Sequence, residues 1–217
     1  MEMTMDDKQK GRIRKTVTAL VGGGVVGFVA AFGFMQLVDS GLLGTLERSQ
    51  EVAGLTGIIY LLTAMSVAVG LASPSFGARF LNVEDADELR EMKRTLLFSS
   101  IGMFAFGLAL VLAALAGPDA PIDPMAGLAG FIVLIAIGGY AGIRQQRHTD
   151  ELMKSVSLEA TSLAFYLTFL FGGGWALLSH LGFADGPAPL DWLTMFAGIM
   201  LVASFAICGR RGMLMMR

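Results

Sequence analysis

Six apolar runs, each about as long as a bilayer is thick, dominate the chain. They lie at roughly 16–38, 53–73, 95–116, 126–143, 157–181 and 190–208. A helix rises 1.5 Å per residue, so ~20 residues cross ~30 Å of hydrocarbon. The fourth run is the shortest. Backbone groups in lipid must pair within their own segment, which predicts helices. Strand-like alternation is absent, which argues against a barrel. The expected fold is therefore all-α: a six-transmembrane-helix bundle, with residues 1–217 forming one integral membrane domain. Composition agrees: 54% of residues are hydrophobic and 16% charged, against about a quarter charged in soluble domains. "KQKGRIRK" before the first run looks like the basic start of a signal peptide. The run itself exceeds the 7–15 apolar residues of such a signal, so an uncleaved first span is expected.

Basic residues set the expected orientation. With the N-terminus in the cytoplasm, every Lys and Arg except Arg48 falls in an inside segment. Fifteen bases then face eleven acids inside, and one base faces seven acids outside. The positive-inside rule accordingly places both termini in the cytoplasm of a bacterial inner (plasma) membrane.

The chain also repeats itself. "AGLTGIIYLLTAMSVAVG" (53–70) aligns with "AGLAGFIVLIAIGGYAGI" (126–143). Each is followed by an inside segment containing Asp-Glu-Leu, then by another span ending near "GPDAP" (117–121) or "DGPAP" (185–189). Spans 2–3 and 4–5 read as copies of one helical hairpin, with spans 1 and 6 completing three. Parallel repeats occur in transporters. They also arise where a hairpin duplicates to bury more helix surface. The outer connections are Pro- and Gly-rich turns with no room for a folded domain.

Several motifs have a plain reading beside a functional one. "GGGVVG" (22–27) matches the dinucleotide fingerprint, but it lies inside a span and follows no strand. Gly23-x-x-x-Gly27 and Gly138-x-x-x-Gly142 instead suit close helix packing. "FGGGWALL" (171–178) gives Trp175 either a packing notch or a point where a small lipid-like ligand inserts. The two histidines, His148 and His180, would stand ~48 Å apart along a continuous helix, which excludes a shared haem or metal in one chain. His180 is an interfacial residue, or a single ligand paired with a Met or with another subunit. Glu159, a turn or two inside the fifth span, either lines an internal site or snorkels to the surface. Glu159, Trp175 and His180 are thus the candidate ligand-binding residues. The lone Cys208 offers no intrachain disulfide and no Cys-based metal cage. No catalytic constellation appears and no metal site is expected. The sequence names no cofactor.

The Asp-Glu-Leu segments read as helical extensions of spans 3 and 5. Asp87/Arg90, Glu91/Arg94 and Asp150/Lys154 have spacings that allow local ion pairs. Acids at a helix start also suit its dipole. Leu89 and Leu152 follow the acids and would give an acidic rim apolar anchors. Asp87, Glu88, Arg90, Arg147, Asp150 and Glu151 are the candidate partner-binding residues.

Asp150, Glu151 and Leu152 before a span, with Glu159 and Ala160 at its entry, resemble a pattern in small bacterial membrane proteins of unknown function. Some of these are encoded beside a helix-turn-helix regulator. The likeness covers about a dozen residues. The first copy departs from it, with Leu96 and Leu97 in place of Glu-Ala. The resemblance implies a membrane protein that holds a cytoplasmic partner, such as a transcriptional regulator, at its inner face, without touching nucleic acid itself. The expected role is non-enzymatic: regulatory or scaffolding, with the bundle sensing a small hydrophobic ligand or redox cofactor. A small transporter or permease, an accessory subunit of a larger membrane complex, and a homo-oligomer fit the same pattern.

Overall fold

A computed structural model describes residues 5–78, 83 and 86–214. All regular elements among them are helical. They are α1 (Met5–Asp39), α2 (Arg48–Ala72), α3 (Pro74–Gly77), α4 (Ala86–Glu91), α5 (Lys93–Ala114), α6 (Pro124–Gln146), α7 (Glu151–Thr168), a π-helical turn (Phe169–Gly173), α8 (Gly174–His180) and α9 (Pro189–Arg210). Six segments are long and apolar enough to cross a membrane: Thr16–Asp39, Arg48–Ala72, Lys93–Ala114, Pro124–Gln146, Glu151–His180 and Pro189–Arg210.

Local chemistry sets the helix starts. Asp123 Oδ1 accepts from Met125 N at 3.0 Å and Ala126 N at 3.1 Å, and Pro124 takes the first helical position. Pro is preorganised there and has no amide to leave unpaired. Pro189 opens α9 likewise, with Asp191 Oδ2 accepting from Ala188 N at 2.7 Å. At the end of α8, Gly182 adopts φ +78°, and the Phe183 amide turns back to Leu178 O at 2.9 Å. Only glycine takes that left-handed conformation without strain.

Three spans form the core and three attach to it. Helices α2 and α5 pack along much of their length, and α9 joins both. Tyr60, Leu110 and Ala197, one from each helix, meet at the centre. Helix α1 leans on α2, α6 on α5 and α7 on α9. The α2–α5 crossing is tight at Gly57 and Gly107: a Cβ on Gly57 would stand 2.7 Å from Gly107 O. Small residues permit such backbone approach where apolar driving force between helices is weak. Two polar side chains bond across helices in this core. Tyr60 Oη donates to Ala197 O at 2.9 Å, and Ser100 Oγ to Ala64 O at 2.8 Å. Most other span hydroxyls, such as Thr56, Thr63, Ser66 and Ser204, return to the carbonyl one turn back in their own helix.

The similar spans α2 and α6 flank α5. Gly57 of α2 lies against Gly107 and Val111, and Gly130 of α6 against Leu112. The matching glycines therefore mark two edges that dock on one helix. Among the described residues α6 and α7 scarcely touch, unlike α2 and α5.

Three of the four expected packing glycines differ from expectation. Gly23 and Gly27 meet nothing within 4 Å, because α1 contacts α2 mainly near Phe34, whose ring lies over Gly54. Gly138 faces Gly102 and Ala105 of α5, whereas Gly142 faces open space.

Candidate functional site

The connections alternate, so one end of the molecule carries Arg90, Arg144, Arg147, Lys154 and Arg211, and the other carries Glu47, Asp119, Asp185 and Asp191. At the basic end, Thr95 Oγ1 of α5 donates to His148 O at 3.0 Å. That bond brings the α6–α7 connection, and with it the second Asp-Glu-Leu segment, against the start of α5. The first segment lies in α4, immediately before α5. The two acidic entries thus share one rim.

On that rim Asp87 pairs with Arg90, both well exposed. Asp150 caps α7, its Oδ1 accepting from Met153 N at 2.7 Å. Lys154 pairs with Glu151 at 2.8 Å. This corrects the expected Asp150–Lys154 pair: the cap already engages Asp150, and Glu151 lies one residue closer. Glu91 and Arg94 form no ion pair among the described residues. Arg147 is exposed at the end of α6, and Glu88 is half-buried.

The two leucines part company. Leu89 is 1% exposed and packs with Leu71 and Val83, beside Val67, Ala78, Met92 and Leu96. It fastens α4 beneath α2 and cannot serve as an exposed anchor. Leu152 is 56% exposed and can. The expected continuous extension of span 3 is also interrupted at Met92, which separates α4 from α5. Span 5 does continue unbroken from its Asp-Glu-Leu segment.

The three candidate ligand residues do not converge. Glu159 pairs with Arg211, and Arg211 Nη2 also donates to Ser155 Oγ at 3.1 Å, tying α7 to the end of α9. Trp175 Nε1 donates to Asp185 O at 2.7 Å and pins the connection before α9. His180 is exposed in the last turn of α8. Glu159 and His180 stand ~30 Å apart along their span. The "FGGG" stretch overlaps the π-turn, where sequence reasoning offered a packing notch or a point of ligand insertion. Gly172 within it admits α9: a Cβ there would stand 2.4 Å from Met195 Cε and 2.9 Å from Trp192 Cζ3.

Sequence reasoning missed two features. At the acidic end an open groove of about 460 Å³ lies between Thr45, Glu47, Gln50, Gly117, Asp119 and Leu193. Its walls come from three separate connections, so no local motif announces it. At the basic end Phe98, Tyr140, Arg144 and His148 form an aromatic–cation cluster between α5 and α6. Aromatic residues near span ends are the one signal that pointed there. No group of three or more His, Cys, Asp and Glu fit to hold a metal occurs among the described residues.

Six apolar spans, three of them forming the core, define a multi-pass helical membrane protein. Comparison with family models, curated proteins and solved structures finds no match.

Proposed function

We propose that the protein is a non-enzymatic regulatory or scaffolding component of a bacterial inner membrane, holding a cytoplasmic protein partner on its basic-end rim. What carries the reading is the convergence of both acidic helix entries on one rim, with exposed Leu152 between Glu151 and Lys154. Charged groups around an apolar anchor are the make-up of a protein-docking surface. Asp87, Glu88, Arg90, Arg147, Asp150 and Glu151 supply the charges. The carboxylates of Asp87, Glu88, Asp150 and Glu151 are the groups that a basic regulator of transcription would engage. The basic excess at this end supports a cytoplasmic rim and cytoplasmic termini. Duplication of a hairpin supplies the second acidic entry, and the matched glycines of α2 and α6 support it.

Co-purification after mild solubilisation tests the reading. A partner retained by the native chain is lost on reversing Asp87, Glu88, Asp150 and Glu151 to Lys. Retention unchanged by the reversal, or absent from both, refutes it.

A second reading has its own observation. Gly22, Gly23, Gly24, Gly27 and Gly33 of α1 all face open space, and Phe28 and Phe32 are exposed beside them. A span left so largely uncovered suits an accessory subunit packed against other spans, or a second copy. Retention of other integral proteins, insensitive to the charge reversal, would favour it.

A further inference from the structure

Among the described residues, Arg144 is a cation with one buried donor unanswered. It sits in the last turn of α6, half-buried, and its Nε has no hydrogen-bond acceptor among the described residues. No carboxylate pairs with it there. Its guanidinium carbon lies 5.6 Å from the Tyr140 ring centre and 5.9 Å from that of Phe98. Both distances are within cation–π range. The Phe98 ring is fixed in turn: the His148 imidazole lies parallel to it at 6.1 Å, and Thr95 holds the His148 carbonyl. The planar fork is therefore oriented by two rings before any anion arrives. A guanidinium so held matches phosphate oxygens in a way an ammonium cannot.

The surroundings say which phosphate. On α5, Arg94, Phe98 and Ile101 recur at helical spacing, and on α6 Arg144, Tyr140 and Ile137 do the same in the opposite direction. Each helix thus reads cation, aromatic, aliphatic from its basic end inward, and the Arg144–Phe98 and Thr95–His148 contacts set Arg144 level with Phe98, about one turn inside Arg94. Ile101, Ile137 and Tyr140 are exposed. A free phosphate would use only the first level. A membrane lipid uses all three, with its phosphodiester at Arg144, its glycerol at the rings and its chains along the isoleucines. The excess of cations at this end favours a lipid without a cationic headgroup. Basic pockets between spans bind such lipids.

We infer that the α5–α6 seam at the basic end is a binding site for an anionic phospholipid, with Arg144 as its phosphate receptor. The inference is independent of the partner reading and of which side the basic end faces, since both leaflets present phosphates.

The test uses the full chain in vesicles or nanodiscs of phosphatidylcholine containing a minor fraction of phosphatidylglycerol, with retained lipid counted by native mass spectrometry. The native chain retains phosphatidylglycerol about tenfold over its share in the mixture. Arg144→Leu brings retention to the bulk ratio. Arg144→Lys keeps the charge and the fold, yet loses at least threefold. Phe98→Leu and Tyr140→Leu, which change no charge, lose a similar factor. Native retention in Arg144→Leu overturns the site. Native retention in Arg144→Lys and in both ring variants overturns the oriented clamp and leaves only bulk attraction. Displacement of the lipid by millimolar inorganic phosphate assigns the site to free phosphate and overturns the lipid.

Discussion

Gly57→Ala adds a single methyl group at the α2–α5 crossing. The new Cβ would stand 2.7 Å from Gly107 O, 2.8 Å from Val111 Cγ2 and 3.0 Å from Val111 N. The valine methyl can turn aside. The carbonyl and the amide belong to the α5 backbone and cannot. Ordinary contact begins near 3.4 Å, so the helices must part by about 0.7 Å at this point. Gly107 packs reciprocally against Gly57 O and Tyr60 Cβ, so the parting loosens the site where Tyr60, Leu110 and Ala197 meet. Overpacking of this kind costs about 1–3 kcal/mol, offset by up to ~1 kcal/mol of gained helix propensity. With the full offset the expected net loss is ~0–2 kcal/mol, and relative to a clash-free Gly→Ala change it is ~1–3 kcal/mol. Gly23→Ala is the internal control, because nothing lies within 4 Å of it. It retains the propensity gain and meets no clash, so it is neutral or slightly stabilising. Unfolding in mixed micelles, followed by the fluorescence of Trp175 and Trp192, reports both variants against the native chain. If Gly57→Ala proves as stable as Gly23→Ala, the crossing is not where these helices meet and the core assignment fails.

Tyr60→Phe leaves the Ala197 carbonyl without its 2.9 Å donor and is expected to cost ~1 kcal/mol in the same unfolding assay. An unchanged midpoint would refute that bond. Leu89→Ala empties a buried position and is expected to cost ~2–5 kcal/mol, with Leu152→Ala within ~0.5 kcal/mol of native. Faster amide exchange in α4 for the first variant alone is the accompanying sign. Asp150→Ala removes the α7 cap and costs ~1 kcal/mol. Asp150→Asn keeps an acceptor and costs a few tenths, so equal losses in the two would show that the carboxylate acts through charge and not as a cap.

The spans were legible because membrane depth imposes a length and a polarity that few other structures share. Their starts were legible where a breaker stood, as at Pro124 and Pro189. Which spans form the core was not legible. The spans are apolar all round, since lipid and a neighbouring helix present the same kind of surface, so no polar face marks the outside. "AGLTG" and "AGLAG" therefore read alike although α2 is central and α6 peripheral. Glycine patterning signalled close approach correctly at Gly138 and Gly172, and gave no notice of the α2–α5 crossing at Gly57 and Gly107. It pointed nowhere at Gly23, because spacing names a surface and not its occupant. The same limit separated Leu89 from Leu152: identical Asp-Glu-Leu triplets, one folded under α2 and one left on the rim. Arg144 was visible only as one more inside cation. Its donors and rings become a site through the pairing of α5 with α6, which no local pattern encodes.

Photo-crosslinking in living cells decides the docking reading. A crosslinking residue at Leu152, on the exposed rim, is expected to give a discrete protein adduct. The same residue at exposed Phe183, at the opposite end, is expected to give none of that species. Reversal of Asp87, Glu88, Asp150 and Glu151 to Lys is expected to abolish the Leu152 adduct while the protein remains in the membrane. An adduct that survives the reversal, or one of the same mass from both ends, contradicts a partner held by the acidic helix entries.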